Sequence, residues 1–115
     1  MSGWLADGEA TWGGRPVART AADLEPRCRA VLRGRVQGVR VRHPPPGGGG
    51  SIGRCLEAEL DDGTGVVCLR WLGRTGIPGI GAGTLLTAEG TVLADRGRLV
   101  LLNPRYRLAH SSTSW

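Results

Sequence analysis

The sequence predicts an all-β domain built from five strands. Residues 27–42 and 55–60 alternate between apolar and polar side chains, as strands with one buried face do. Short turn sequences at 62–63 and 96–97 each separate two apolar runs, which is typical of hairpins. A change in the alternation within the first strand predicts a bend in that strand. Each element is justified below in chain order.

The first predicted strand carries an apolar face and an arginine-rich face. Its apolar positions are Cys28, Ala30, Leu32, Gly34 and Val36, and the residues between them include Arg29, Arg33 and Arg35. After Gly38 the alternation reverses, and Val39 and Val41 become the apolar set, with Arg40 and Arg42 opposite. A one-residue change of face at a glycine predicts a β-bulge or a sharp bend.

The second and third strands form a predicted hairpin around Asp62 and Gly63, a pair that favours a type I′ turn. A two-residue turn places residue 58 opposite 67 and residue 56 opposite 69. That register puts the apolar residues of both strands on one face.

The last two strands form a second predicted hairpin, from 84–94 to 98–102. With Arg96 and Gly97 as the turn, residue 94 faces 99 and residue 92 faces 101, and we expect Pro104 to stop the last strand. The segment 73–83 between the two hairpins is too rich in glycine for a stable helix. We expect a turn there, with Ile77 and Ile80 closing one end of the fold.

The chain of 115 residues is long enough for one domain. We expect a flexible extension at 1–26, the folded domain at 27–108 and a tail at 109–115. No apolar run approaches the roughly 18 residues of a membrane helix, and the N-terminus lacks a secretory pattern, so we expect a cytoplasmic protein without membrane contact. The spacing of Cys28, Cys55 and Cys68 predicts reduced thiols, with no disulfide, metal or other cofactor.

The positive charge of the chain lies in the predicted domain. Residues 1–26 carry two arginines and four acids, whereas residues 27–115 carry thirteen arginines and six acids, and there is no lysine. A net positive domain favours polyanionic partners, because binding them releases counterions. An ordinary solvated basic surface is the alternative.

Five strands with a short, non-helical connection between the third and fourth resemble an OB-fold, a Greek-key barrel. The residues that resemble the closing hairpin of anticodon-binding-type OB domains and of the RecG helicase wedge domain are Gly83, Glu89-Gly90, Arg96-Gly97 and Asn103-Pro104-Arg105-Tyr106. The runs Arg70-Trp71-Leu72-Gly73-Arg74 and Ile77-Pro78-Gly79-Ile80 resemble small stand-alone OB proteins of actinobacteria.

This resemblance implies weak binding of single-stranded DNA or RNA, in a bacterial repair or recombination accessory role. The candidate binding residues are Arg33, Arg35, Arg40, Arg42, Arg70, Trp71, Arg74, Arg96, Arg98, Arg105 and Tyr106. An arginine side chain can bind phosphate through two hydrogen bonds. Trp71 and Tyr106 are the aromatic rings on which a base would stack. Trp71 falls on the same face of its strand as the apolar residues, which favours a position in the core. For Tyr106, the alternative to base stacking is a position that caps the barrel.

Two features weigh against nucleic acid. Outward acids on the second strand, Glu57, Glu59 and Asp61, would repel phosphate, and aromatic residues are scarce. The alternative function is a protein-interaction or oligomerisation module anchored by Trp4, Trp12 and Trp115. No arrangement of nucleophile, base or paired acids supports an enzyme.

Overall fold

The structure, a computed structural model, describes residues 11–12, 14–43 and 54–109, and is all-β. Two short strands, β1 (Thr11–Trp12) and β2 (Arg15–Pro16), form a small ladder. The five long strands are β3 (Arg29–Arg42), β4 (Cys55–Asp61), β5 (Val66–Leu72), β6 (Leu85–Asp95) and β7 (Arg98–Leu108). Within the described ranges the one helical element is a 3-10 turn, Ala21–Asp23, and no helix there is long and apolar enough to cross a membrane.

The long strands close into a ring in the order β3-β4-β5-β7-β6. Closure depends on β3, which pairs with β6 along residues 29–35 and with β4 along residues 35–42. At the changeover, Gly34 approaches the end of β4 so closely that a Cβ there would lie 2.5 Å from the carbonyl oxygen of Asp61. The other closing contact joins β5 and β7 in parallel, and the remaining pairs are antiparallel.

The bend predicted at Gly38 is confirmed. Val36 pairs with Leu60 and Gly38 with Glu59, so Gln37 is an extra residue that forms a β-bulge. Before the bulge, the alternation of buried and exposed residues follows the predicted faces. Beyond it, β3 extends past the well-covered core, and Val39 and Val41 remain exposed although they belong to the inward set.

The predicted register of the β4–β5 hairpin is wrong by two residues. Ala58 pairs with Leu69 rather than with residue 67, because the loop spans the four residues 62–65. The Asp62 carboxylate builds this longer loop by accepting hydrogen bonds from the Thr64 hydroxyl and from the amides of Thr64 and Gly65. Burial would raise the pKa of Asp62, but these bonds and one from the Ala21 amide hold it below its ordinary value. A shift of two residues preserves the faces, so the apolar set still lies inward.

The predicted register of the β6–β7 hairpin is confirmed, with residue 94 opposite 99 and residue 92 opposite 101. The predicted end of the last strand is wrong, since β7 continues through Pro104 to Leu108. A register shift beside Gly90 and a left-handed Asn103 (φ 47°) accommodate the proline. The extra length lets residues 105–108 of β7 pair with residues 86–89 of β6.

The core fills the inside of the ring. Its fully buried large side chains are Leu32, Leu60, Leu69, Leu86 and Leu101. As predicted, 73–83 forms turns without a helix, with Ile77 buried and Ile80 packed against the core. Within the predicted extension, Ala18 is buried and exchanges backbone hydrogen bonds with both neighbours of Ala30 on β3. This stretch of the extension is therefore attached to the barrel.

Candidate functional site

One outer surface of the barrel, which we call the arginine face, gathers charged side chains from five strands. Those of β4 and β5 project outward because their strand neighbours on either side are core residues. The members are Arg40 of β3, Glu57 and Glu59 of β4, Arg70 of β5, Asp95 of β6 and Arg98 of β7, with Arg42 at the rim. Four arginines and three carboxylates leave this surface with a net positive charge.

Glu57 is the centre of the arginine face. It is outward-facing yet only 1% exposed, because three arginines surround its carboxylate. Nε of Arg70 donates to Oε2 at 2.8 Å, Nε of Arg40 donates to Oε1 at 3.2 Å, and Nη1 of Arg42 lies 3.8 Å from Oε1. Burial would raise the pKa of Glu57, but the hydrogen bonds and charges of these arginines outweigh it and lower the pKa. The glutamate is therefore ionised and fully neutralised by its neighbours.

Arg70 extends the network towards the β6–β7 hairpin. Its Nη1 lies 3.1 Å from Oδ2 of Asp95, so the buried guanidinium bridges two carboxylates. Burial would lower the pKa of Arg70, but the hydrogen bond and charge of Glu57, with Asp95, raise it. Nearby, Nη2 of Arg98 donates to Oε2 of Glu59 at 3.3 Å. These contacts fix the hairpin against the face of β4 and β5.

The exposed arginines are the chemically available part of this face. Arg40 and Arg98 have side chains 49% and 41% exposed, and Arg42 is intermediate. Arg96 at the hairpin tip is exposed and has a left-handed backbone (φ 52°), so its side chain projects from a tight turn. Guanidinium groups held in this way present several N–H donors to an anion.

Two buried thiols lie on the same outward side of β4 and β5 as the arginine face. Burial, with the charge of Glu57, raises the pKa of Cys55, and the same two causes raise the pKa of Cys68 to about 11. All three thiols are unpaired. The raised pKa keeps Cys55 and Cys68 protonated at neutral pH, which makes these two poor nucleophiles. No group of three or more potential metal-binding side chains lies together in the described parts of the chain.

The structure separates the remaining arginine candidates from this face. Arg33 and Arg105 lie on the outer surface where β3, β6 and β7 meet. Arg35 donates from Nη1 to the carbonyl oxygen of Gly83 at 3.1 Å, and Arg74 is exposed in the loop after β5. The eleven predicted residues therefore do not form one cluster.

One aromatic candidate lies in the barrel interior and the other at its edge. Trp71 is buried, and its Nε1 donates to the carbonyl oxygen of Pro104 at 3.0 Å. Tyr106 contacts it edge to face, with ring centroids 6.0 Å apart, and is partly exposed. These contacts support the core position for Trp71 and the capping alternative for Tyr106. Trp4 and Trp115, and the side chain of Trp12, lie outside the described residues.

The acids of the arginine face were missed as components of the site. The sequence suggests that Glu57 and Glu59 oppose an anion, whereas the structure pairs them with arginines. Glu57 and Arg70 are direct cross-strand partners in the observed register, and the predicted register places Cys68 there instead. A four-residue loop at 62–65 brings the two residues opposite each other.

No family model matches the chain, and no curated protein matches it. The class of the molecule therefore rests on its own geometry, an all-β barrel with a charged, arginine-rich outer face.

Proposed function

We propose that the protein is an OB-fold domain that binds single-stranded nucleic acid on the arginine face. The ring order supports the fold, because the first strand closes on the fourth and the third strand runs parallel to the fifth. The long, bulged first strand that serves both halves of the sheet also supports it. Ligands of OB-folds lie across the second and third strands, which here are β4 and β5.

The observation that carries the function is the placement of four arginines on that surface. Arg40, Arg70 and Arg98 project from the strands, with Arg42 at the rim, and Arg96 extends from the adjoining hairpin. Of the carboxylates expected to repel phosphate, Glu57 and Glu59 instead hold these guanidiniums in position. Such preorganisation reduces the entropy that binding would otherwise cost.

The same face offers little for base stacking. The arginine-face members include no aromatic ring, and Trp71 is occupied in the core. Stacking contributes roughly 1–3 kcal/mol per base in proteins that use it. Without it, affinity is mainly electrostatic and sensitive to salt.

Fluorescence anisotropy with labelled single-stranded DNA and RNA tests the proposal. For single strands, log K falls with log salt by about 0.7 for each phosphate contacted. Three or four arginine contacts then predict about a 20- to 50-fold loss of affinity between about 50 and 200 mM salt. Binding with this slope supports the proposal, and comparison of the two polymers identifies the preferred one. Absence of binding at the lower salt would reject it in favour of a protein-interaction module.

Matched arginine variants locate the interface. Arg98→Gln and Arg96→Asn, which suits the left-handed turn, are each expected to lower the salt slope by about 0.7. Arg33→Gln removes the same charge from the other side of the barrel and is expected to leave the slope unchanged. If Arg33→Gln weakens binding and the hairpin variants do not, the interface lies on the β3–β6 surface instead.

A further inference from the structure

The β-bulge of β3 opens a small pocket within the arginine face. The extra residue Gln37 displaces the strand, and Gly38 lies opposite Glu59 without a side chain to fill the space. The resulting cavity has a volume of about 220 Å³. Its lining residues are Gln37, Gly38, Val39, Arg40, Glu57 and Glu59.

The volume of the pocket limits what it can hold. Pockets that enclose a drug-sized ligand measure roughly 300–1,000 Å³, so this one suits a single planar ring system. One wall offers the half-exposed guanidinium plane of Arg40. Unpaired bases stack on planes of this kind.

The polar groups of the pocket require a ligand with N–H donors. Glu57 already accepts hydrogen bonds from two arginines, on both of its oxygens. Glu59 is part-exposed and accepts from Arg98 through Oε2. A carboxylate has about four acceptor positions, so Glu59 retains capacity towards the pocket. Gln37 adds an amide at the rim.

Guanine is the nucleobase that meets this requirement best. Its Watson–Crick edge carries adjacent N1–H and N2–H donors, which a carboxylate accepts in parallel. Cytosine and adenine offer one amino group each, and thymine and uracil flank a single N–H with two carbonyl oxygens that a carboxylate repels. The edge is accessible only in a single strand.

We infer that the bulge pocket binds one unpaired guanine, an inference that rests on the proposed nucleic-acid function. Phosphate contacts position the strand, and the carboxylate of Glu59 selects the base. The site thereby gains a base preference that an arginine surface alone does not provide.

The test compares oligothymidine strands that differ in one central base, with matched oligouridine strands as the RNA arm. A central guanine is expected to bind about 10-fold more tightly than thymine, the scale of one bidentate base contact. Inosine, which lacks the N2 amino group, should lose most of this preference, and 7-deazaguanine, with an intact Watson–Crick edge, should keep it. Equal binding of all strands overturns the inference and leaves the proposed function intact, whereas absence of binding overturns both.

Protein variants assign the preference to the pocket. Gly38→Val fills it, and a Cβ at Gly38 meets no atom within 4 Å, so the barrel should tolerate the change. Gly76→Val, at another glycine with open space, is the matched control. Gly38→Val and Glu59→Gln are expected to abolish the preference for guanine, and Gly76→Val to retain it. A preference that survives both pocket variants, with thermal melting showing that they are folded, places guanine recognition elsewhere and contradicts the inference.

Discussion

Glu57 and Glu89 are both outward-facing on the barrel and both only 1% exposed, yet their surroundings differ. Glu57 lies among three arginines, two of which still present much of their surface to solvent. Glu89, on the β3–β6 side, accepts from Nη2 of Arg29 at 3.3 Å, beside the register shift of β6. A buried carboxylate on the outer face therefore occurs in two settings. Glu57 lies within a cationic surface, and Glu89 lies beside an irregularity in the strand pairing.

The difference shows why counting exposed acids misjudges a surface. The repulsion from a carboxylate buried by arginines is offset, because opposite charge lies 2.8 Å from it. What an approaching anion meets on the arginine face is the outer rim of half-exposed guanidiniums.

The largest expected effect is on stability. Arg70→Met removes the nearest partner of buried Glu57 and is expected to lower the free energy of unfolding by about 3–5 kcal/mol. Arg29→Met is the counterpart at Glu89 and should cost less, because Arg29 is 22% exposed and water can replace part of its contact. Urea denaturation measures both. The double variant Glu57→Leu with Arg70→Met should recover much of the loss, and an equal loss in single and double variants would contradict this account.

The pH dependence of stability tests the ion pairs of Glu57 directly. Since its pKa is lowered in the folded state, its stabilisation is complete above the ordinary pKa of glutamate, about 4.3, and is lost as pH falls through the lowered value. The difference in unfolding free energy between the native protein and Glu57→Gln should be constant near neutral pH and shrink in acid. A difference that grows as the pH falls would contradict a lowered pKa of Glu57 in the folded state.

The smallest effect is on binding. Under the proposed function, Glu57→Gln adds a net positive charge to the arginine face and should strengthen binding of a single strand about two- to five-fold, the scale of one unit charge in water at about 4 Å. Glu89→Gln makes the same change on the other side and should have no such effect. Fluorescence anisotropy at low salt measures the affinity of both variants. An equal gain in affinity for Glu57→Gln and Glu89→Gln would mean that only the total charge of the protein matters.

Local patterns in the sequence predicted much of the fold. The change of face at Gly38 and the turn at Arg96-Gly97 depend on neighbouring residues, and both are confirmed. The register of the β4–β5 hairpin was wrong because the Asp62 side chain, rather than the backbone preference of Asp-Gly, sets the loop length. Pro104 did not end β7, because it lies in a bulge of β7, where Asn103 and Pro104 oppose the single residue Gly90, and its missing N–H is not needed there.

The candidate site was predicted less completely, because it depends on residues that are distant from one another in the sequence. Arg40, Arg42, Arg70 and Arg98 were recognised by residue type, but their convergence depends on cross-strand neighbours. The pairing of Glu57 with Arg70 appears only in the correct register, and the approach of Asp95 to Arg70 requires the parallel contact of β5 with β7. Long-range pairing of this kind leaves no local pattern in the sequence.

The bond between the Ala21 amide and Asp62, 2.7 Å long, has a consequence for the order of folding. It joins residues 41 positions apart, and its acceptor is positioned only once the β4–β5 loop has closed. We therefore expect residues 17–24 to dock after that hairpin forms, in a fold whose many distant contacts are typical of slow folding. The same segment can open first in the native state, so its amides should exchange with solvent sooner than those of β3.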